Sequence, residues 1–254
     1  MKILKLSVLS VLITCIVLSC KKDSDGGGTT PTGKLVRIHQ GQDPLTDDDT
    51  VYLLSYNASG KLHKLIDSLY GDTMTATYDA AGRIERITNS FGEYVKYTYN
   101  GDGLLTQQDY NWGTNERYVY TYKDGVVEKK SYYHNANGPM ELWRYYTYTV
   151  TGGNITSIKE YDKSGTLIVE KTLTYTSLPN DYKELALFNY SNLKGLEPFI
   201  TDESLFNKNV PATMSWDGDK ITLTNTLNGS KQLGKMVATI DSYDETYTWR
   251  FNYK

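Results

Sequence analysis

The side chains that most often catalyse reactions or bind metals are few in this chain. Its three histidines, His39, His63 and His134, lie far apart, and no two have the spacing of a metal-binding pair. The acidic run Thr46-Asp47-Asp48-Asp49-Thr50 could offer several oxygens to Ca²⁺. It lacks the alternating ligands and the glycine of a calcium loop, which favours a solvated loop. We therefore predict no metal site and no cofactor.

Sequence motifs of the common catalytic sites do not occur either. The chain has no Gly-x-Ser-x-Gly elbow, no phosphate-binding loop and no His-Glu-x-x-His. The two carboxylates of a glycosidase meet in space rather than in sequence. A glycan-active hydrolase whose carboxylates converge from separate strands is therefore the open alternative to a protein without enzymatic activity, and no catalytic residue is assigned.

Two tryptophans are the candidate binding residues. Trp112 stands at a predicted hairpin tip, and Trp143 lies near the turn Asn137-Gly138-Pro139. Flat aromatic rings on a rigid sheet can stack on the faces of sugars. The many tyrosines have a simpler explanation as cross-strand pairs, each of which stabilises a sheet by about 0.2–1 kcal/mol.

One residue has an assignable covalent modification, Cys20. Two lysines, Lys2 and Lys5, precede an apolar run over residues 6–18, the pattern of a secretory signal peptide too short to span a bilayer as a mature helix. The segment Val17-Leu18-Ser19-Cys20 resembles a bacterial lipobox. The resemblance implies that residues 1–19 are removed, that Cys20 is acylated, and that the protein is an outer-membrane lipoprotein.

The residues after Cys20 form a predicted tether over residues 20–33. They include three consecutive glycines and offer almost nothing apolar to bury. A plain spacer is the simplest interpretation. The acidic residues Asp23 and Asp25 also resemble the export signal of Bacteroidetes surface lipoproteins, which implies display at the cell surface.

Charge and cysteine content restrict the partners of the mature chain. Loss of Lys2 and Lys5 leaves 25 basic against 30 acidic residues, a net charge of −5, which argues against nucleic acid as a partner. Cys15 leaves with the signal peptide and Cys20 is acylated, so no disulfide is available. The membrane is the expected partner through Cys20.

Tyrosine-centred repeats organise the rest of the chain. The chain has 23 tyrosines, and the segments that begin at six of them align, three with an Asn/Asp-x-x-Gly turn and three as shorter or looser copies. These marker tyrosines are spaced by 22, 21, 23, 26 and 27 residues, which indicates one supersecondary unit repeated. They are Tyr56, Tyr78, Tyr99, Tyr122, Tyr148 and Tyr175.

Each repeat has the pattern of two strands joined by a turn. Tyrosines two residues apart precede the turn, as at Tyr97 and Tyr99, so they share one face of a strand. After the turn, apolar residues recur three apart, as at Ile84 and Ile87, which predicts a bulge. We expect an all-β antiparallel meander of about sixteen strands, curled into a twisted sheet or a barrel, as one domain over residues 34–254.

Residues 183–206 interrupt this rhythm. Leu185, Phe188, Leu193 and Leu196 have roughly helical spacing, but Gly195 and Pro198 prevent one long helix. The pattern predicts one or two short helices that cover an open end or an edge of the sheet.

The repeats resemble the YD repeats of bacterial Rhs-type proteins. The best copy is Tyr78-Asp79-Ala80-Ala81-Gly82-Arg83-Ile84, followed by Gly92 and Tyr97-Thr98-Tyr99-Asn100. With the lipobox and Lys208-Asn209-Val210-Pro211, the chain also resembles Bacteroidetes lipoproteins of unknown function with a porin-like β fold. These resemblances imply a fold and a shell or scaffold role rather than an activity.

Together these patterns predict a cell-envelope lipoprotein that acts as a non-enzymatic binding or scaffolding module. Its expected partner is a glycan or another envelope protein. A shell component with no ligand of its own is a further alternative, because YD repeats build shells and stalks.

Replacement of Cys20 tests the anchor. The Cys20→Ala chain should appear as an unprocessed or soluble exported form, because no acyl chain then holds it in the bilayer, whereas the wild-type chain should fractionate with membranes. Cell fractionation and radiolabelled palmitate incorporation measure this. A Cys20→Ala protein that remains in the outer membrane at the wild-type level would contradict the lipobox assignment.

Overall fold

The computed structural model describes residues 33–42, 45, 49–112, 114–135, 138–188, 202–241 and 245–254. These residues form sixteen strands and two short 3₁₀ helices. The strands are β1 Leu35–Gln42, β2 Thr50–Tyr56, β3 Leu62–Asp67, β4 Thr73–Tyr78, β5 Ile84–Thr88, β6 Tyr94–Tyr99, β7 Leu105–Trp112, β8 Thr114–Lys123, β9 Val126–Asn135, β10 Glu141–Thr151, β11 Asn154–Asp162, β12 Leu167–Pro179, β13 Asn209–Trp216, β14 Asp219–Leu227, β15 Leu233–Ile240 and β16 Glu245–Tyr253.

The strands close into one antiparallel barrel. Each strand pairs with its neighbours in sequence, and β1 pairs with β16 through a register that runs from Leu35 opposite Tyr253 to Gln42 opposite Tyr247. The predicted all-β antiparallel meander is confirmed. Of the two forms left open by the sequence, a twisted sheet or a barrel, the chain adopts the closed barrel, which has no free sheet edge.

The two ends of the barrel differ. The turns that follow the marker tyrosines all lie at one end, which we call the marker end, and the barrel's entry and exit points at Lys34 and Lys254 lie there too, joined by a backbone hydrogen bond of 2.8 Å. The alternate turns, including residues 68–72 and 89–93, lie at the opposite end, which we call the far end.

A bulge follows the marker turns, as the three-residue apolar spacing predicts. Opposite Thr77 and Tyr78 of β4 stand Arg86 and Ile84, so one residue of β5 is extra and both Ile84 and Ile87 face the core. Equivalent register shifts occur at Ser55/Tyr56, Thr98/Tyr99, Thr121/Tyr122, Thr149/Val150 and Thr226/Leu227.

The marker tyrosines join successive repeats by hydrogen bonds. The Tyr99 hydroxyl donates to the carbonyl of Ile84, the first residue of β5, at 2.8 Å, and the Tyr122 hydroxyl donates to the carbonyl of Leu105, the first residue of β7, at 2.6 Å. Burial raises the pKa of Tyr122 to about 12, so its hydroxyl remains a donor at neutral pH. The same bond is made by Tyr56 to Leu35, Tyr78 to Leu62, Tyr175 to Ile155 and Tyr253 to Leu233.

Side chains of the marker turns reinforce this contact. The Asp79 carboxylate accepts hydrogen bonds from the Arg83 amide at 2.8 Å and from its guanidinium at 2.8 Å, while Gly82 adopts a φ of +77° that favours glycine. The Arg83 guanidinium then lies 4.6 Å from the ring centroid of Tyr99 in the next repeat. The turn and the tyrosine ladder therefore form one connected structure.

Two 3₁₀ helices, Lys183–Phe188 and Asp202–Phe206, stand at the ends of the segment predicted to be helical. Leu185, Leu187 and Phe188 are buried, and the Tyr97 hydroxyl donates to the Leu187 carbonyl at 2.5 Å. The helices thus pack against inward-facing side chains of the wall. Of the two roles expected for the helices, to cover an open end or to cover a sheet edge, the closed barrel excludes the second because it has no free edge. Residues 189–201 lie outside the described residues.

The outward positions of the wall are polar. On β5 and β6, Glu85, Arg86, Lys96 and Thr98 are exposed, whereas the intervening Ile87 and Val95 are buried. Within the described residues, no helix is both long and apolar enough to cross a bilayer.

Removal of one ladder hydroxyl tests the contribution of this bond to folding. Tyr99→Phe leaves the Ile84 carbonyl without its donor and should lower the free energy of unfolding by about 1 kcal/mol. Tyr70→Phe is the control, because the Tyr70 side chain is 77% exposed, and should change it by less than about 0.5 kcal/mol. Urea denaturation, monitored by near-ultraviolet circular dichroism, measures the free energy of unfolding of both variants. Equal losses in the two variants would contradict the proposed importance of the ladder.

Candidate functional site

The inward face of β8 to β10 contains polar aromatic and charged side chains where most of the barrel is apolar. Tyr118 of β8 stands opposite Tyr132 of β9, and Tyr132 stands opposite Arg144 of β10. Directly opposed residues of an antiparallel pair project to the same side of the sheet. These three side chains therefore share one face of the wall.

A second row runs beside the first. Tyr120 stands opposite Lys130, Lys130 opposite Tyr146, and Tyr146 opposite Glu160 of β11. Tyr120 is 3% exposed and belongs to the core, which identifies this face as the interior of the barrel. The interior therefore contains a lysine, an arginine and a glutamate on three adjacent strands.

Aromatic rings form a continuous series from the core to the far end. The ring centroids of Tyr110 and Tyr118 are 5.3 Å apart and those of Tyr118 and Tyr132 are 4.9 Å apart, the second pair being stacked. The series continues to His134 at 6.3 Å and from His134 to Trp143 at 6.2 Å. Exposure rises from 8% at Tyr110 to 54% at Trp143. We call these five rings the aromatic track.

A buried ion pair lies beside the track. The Lys130 ammonium is 2.9 Å from a carboxylate oxygen of Glu203, and the two side chains are only 6% and 13% exposed. The same ammonium lies 5.3 Å from the ring centroid of Tyr118 and 4.7 Å from that of Tyr146. Glu203 belongs to the second 3₁₀ helix, so this pair ties the insert to the barrel wall.

The fifth marker tyrosine also contacts this pair. The Tyr148 hydroxyl donates a hydrogen bond to Glu203 Oε1 at 3.3 Å. The tyrosine repeat and the polar cluster therefore meet at Glu203.

A second ion pair lies nearer to solvent. Arg144 Nη1 is 2.5 Å from Glu160 Oε1, and the arginine side chain is 44% exposed while the glutamate is 11% exposed. The hydrogen bond that the Arg144 guanidinium donates to Glu160 raises the pKa of Arg144. Burial, above all, raises the pKa of the neighbouring Tyr146, whose phenol therefore remains protonated between the two ion pairs.

Glu116 and His134 complete the cluster at its outer edge. Burial, followed by the charge of Glu116 and a hydrogen bond to it, raises the pKa of Tyr132 to about 12. His134 Nδ1 lies 3.8 Å from Glu116 Oε1 and, among the described residues, has no hydrogen-bond partner. The Glu116 carboxylate therefore lies beside two rings of the track, the His134 imidazole and the Tyr132 phenol.

This arrangement combines the two kinds of contact by which proteins bind sugars. Tyrosine and tryptophan rings offer apolar faces, and charged groups fixed by their neighbours offer directional hydrogen bonds to hydroxyl groups. Three of the inward carboxylates, Glu116, Glu160 and Glu203, each have a basic partner within the barrel.

The marker end contains a separate cavity of about 630 Å³. Marker tyrosines Tyr78, Tyr99 and Tyr122 line it, together with Leu205 and Phe206 of the insert. The lining of this cavity is largely apolar. Because the cavity lies between the marker tyrosines and the insert, we interpret it as a gap in the packing at the marker end.

The predicted site residues lie in different parts of the structure. Trp143 is the exposed end of the aromatic track. Trp112 is the last residue of β7, and its side chain, like the whole of Cys20, lies outside the described residues. Both remain predictions.

The metal-ligating candidates do not assemble. His39, His63 and His134 lie on β1, β3 and β9, and the described part of the chain contains no group of three acidic, histidine or cysteine side chains suited to a metal ion. Asp49 is described, while Asp47 and Asp48 lie outside the described residues.

Sequence reasoning missed Lys130, Arg144, Glu116, Glu160 and Glu203. For three of them a signal was present: Glu116, Lys130 and Arg144 lie two residues before Tyr118, Tyr132 and Tyr146, respectively. Alternation therefore placed all three on the tyrosine-bearing face. No local pattern could bring Glu203 to Lys130, which is 73 residues away in sequence.

The strand order defines a closed antiparallel β-barrel made of successive hairpins, and one stretch of these hairpins matches a known repeat family. Residues 78–111 match the family model described as RHS Repeat, so the YD-type repeat predicted from the sequence is confirmed there. A search of curated proteins found no match to the chain.

Two solved structures share the barrel fold. One is a porin-like protein from Bacteroides uniformis, 15% identical, with a TM-score of 0.57 over 87% of this chain and 96% of that one. The other is a porin-like protein from Bacteroides vulgatus, 12% identical, with a TM-score of 0.58 over 87% of this chain and 98% of that one. At these identities the likeness establishes the fold, and the predicted porin-like β fold is confirmed.

Truncation of Glu203 tests whether the buried pair holds the insert in place. Glu203→Ala leaves the Lys130 ammonium buried without its counter-charge and should lower the free energy of unfolding by about 3–5 kcal/mol. Glu170→Ala is the matched control, because its pair with Lys159 is 42% exposed on both sides, and should cost less than about 1 kcal/mol. Urea denaturation of both variants measures the difference, and similar small losses would mean that the pair does not fix the insert.

Proposed function

We propose that this chain is a lipid-anchored cell-envelope protein that binds a glycan at the aromatic track and does not cleave it. The single observation that supports this most is the continuous series of rings from buried Tyr110 to exposed Trp143. Such a series offers successive stacking faces to a ligand that enters from the far end.

The charged groups beside the track support a polar, hydroxyl-rich ligand. Glu160 holds Arg144 in a fixed geometry while the arginine side chain stays partly open to solvent, as do Glu116 and His134. Groups fixed in this way can bind hydroxyls without the entropic cost of ordering a free side chain. A purely apolar ligand would shield these groups from water and offer them no hydrogen bonds in exchange.

The envelope location rests on separate support. The sequence supports it through the lipobox pattern at Cys20 and the acidic tether residues Asp23 and Asp25. The two porin-like structures with the same fold come from Bacteroides. The chain enters the barrel at the marker end, so the far end and Trp143 lie opposite the point of entry.

Glycan-array binding of the full chain, purified in detergent, tests the proposal. The wild-type chain should bind at least one class of glycan, and Trp143→Ala should weaken binding about tenfold through the loss of one stacking ring. Leu227→Ala, which removes an exposed apolar side chain at the marker end, should bind as the wild type does. Absence of binding to every glycan would contradict the proposal and favour a scaffold that contacts another envelope protein.

A glycan-active hydrolase is the second candidate. The observation that favours it is that Glu116, Glu160 and Glu203 all face the interior beside aromatic rings. If the protein cleaves a glycan, new reducing ends should accumulate with the wild-type chain, and Glu116→Gln or Glu160→Gln should abolish their release. Binding without release of reducing ends supports the non-enzymatic proposal.

A further inference from the structure

Two neighbouring turns at the far end present large aromatic side chains to solvent. Tyr70, in the turn between β3 and β4, is 77% exposed, and Phe91, in the turn between β5 and β6, is 78% exposed. Each directly precedes a glycine with positive φ, Gly71 at +69° and Gly92 at +83°. The same position in two successive repeats therefore carries an aromatic residue that makes no contribution to the core.

The backbones that carry these rings are rigidly fixed. Asp67 Oδ1 accepts hydrogen bonds from the amides of Leu69 at 2.9 Å and Tyr70 at 3.3 Å, and Asn89 Oδ1 accepts one from the Phe91 amide at 3.0 Å. Both acceptors are buried. Exposed aromatic side chains on fixed turns lose little conformational entropy on binding, which is the property of a recognition surface.

A further contact joins the two turns to each other. The Ser90 amide donates to Asp72 Oδ1 at 3.3 Å, and the Thr73 amide donates to Ser90 Oγ at 3.2 Å. The rings of Tyr70 and Phe91 therefore belong to one continuous surface, which we call the aromatic rim.

The spacing of the rim suits an extended polymer. Tyr70 and Phe91 belong to turns one two-strand repeat apart, and two strand separations amount to roughly 10 Å. Two consecutive sugars of an extended chain occupy a similar length. The β5–β6 hairpin is also adjacent to β7, which contributes Tyr110 to the aromatic track, so the rim leads to the track along the far end.

Charge at the far end restricts the polymer further. The described residues of its turns include the acidic residues Asp49, Asp72, Glu93, Asp217 and Asp241, and Lys163 is the basic residue among them. This excess of carboxylates repels uronic-acid chains and anionic lipid surfaces. An uncharged polysaccharide meets no such repulsion.

We infer that the aromatic rim binds an extended, uncharged polysaccharide that stacks on Tyr70 and Phe91 and continues into the aromatic track. The inference rests on the glycan binding proposed for the track. It adds that the natural ligand is a polymer longer than the track itself and that a second group of residues recognises it.

Affinity electrophoresis of the full chain in detergent tests the inference. The probes are hydroxyethylcellulose, galactomannan, pullulan and arabinoxylan as uncharged polymers, a short oligosaccharide of each, and alginate as a uronic-acid polymer. One or more uncharged polymers should retard the wild-type chain, and alginate should not. The double variant Tyr70→Ala with Phe91→Ala should weaken polymer binding about tenfold and leave oligosaccharide binding unchanged.

Two controls separate the rim from the track. Leu167→Ala removes an exposed aliphatic side chain at the far end and should bind polymer as the wild type does. Trp143→Ala should weaken binding of both polymer and oligosaccharide. Thermal unfolding should be unchanged in the double variant because both rings are exposed, which confirms that its loss of binding is local.

The two proposals fail in different ways. If oligosaccharides bind in a Trp143-dependent manner but the double variant binds every polymer as tightly as the wild type, or if alginate binds best, the inference about the rim is wrong and the track proposal stands. If neither polymers nor oligosaccharides bind, both proposals are wrong.

Discussion

The hydrogen bond from a marker tyrosine to the first carbonyl of a strand in the preceding repeat is the contact on which the rest of this barrel depends. A bulge leaves a backbone group without its regular ladder partner, and the tyrosine hydroxyl supplies one where the second strand of each hairpin begins. Because the bond joins successive repeats, it also fixes the register of each repeat relative to the preceding one. A regular offset is what permits β1 to meet β16.

Closure creates a second requirement, which is to fill the interior. Barrels with this number of strands leave an aqueous channel unless side chains or inserted segments occupy it. Here Phe188 of the insert and Trp249 of β16 are fully buried, and large tyrosine side chains of the wall also point into the interior. The buried pair of Lys130 and Glu203 then anchors the insert, so the polar cluster has a structural role before any ligand binds.

The structural role and the proposed binding role occupy different parts of the cluster. Lys130 and Glu203 are almost buried, whereas Arg144, His134 and Glu116 retain exposure toward the far end. A ligand in the track would meet the exposed members and leave the buried pair intact. The insert between β12 and β13 lies at the marker end, whereas the exposed members of the cluster lie toward the far end.

The local features of this fold were predictable from sequence because they depend on neighbouring residues. Alternating tyrosines such as Tyr97 and Tyr99 indicated the strands, and the spacing of Ile84 and Ile87 indicated the bulge. Such periodicity depends on the local geometry of a strand and not on the order in which the strands pair.

Long-range features were not predictable in the same way. Closure pairs Leu35 with Tyr253, and no local pattern specifies that contact. The candidate site was only partly visible: Trp143 was identified from its position near a turn, but the charged residues beside the track come from four strands and the insert. A charged residue on an otherwise aromatic face, as at Glu116 two residues before Tyr118, is the sequence signal that points to such an interior cluster.

Hydroxyl-radical footprinting of the full chain, with and without a glycan that it binds, tests the central claim most directly, because aromatic side chains report their own solvent accessibility. If the aromatic track is the binding site, the glycan should reduce labelling of Trp143 and Tyr132 and leave Trp216, at another far-end turn, unchanged. Unchanged labelling of Trp143 and Tyr132 together with protection of the marker-end tyrosines Tyr78 and Tyr99 would contradict it and would place the ligand in the cavity beside the insert.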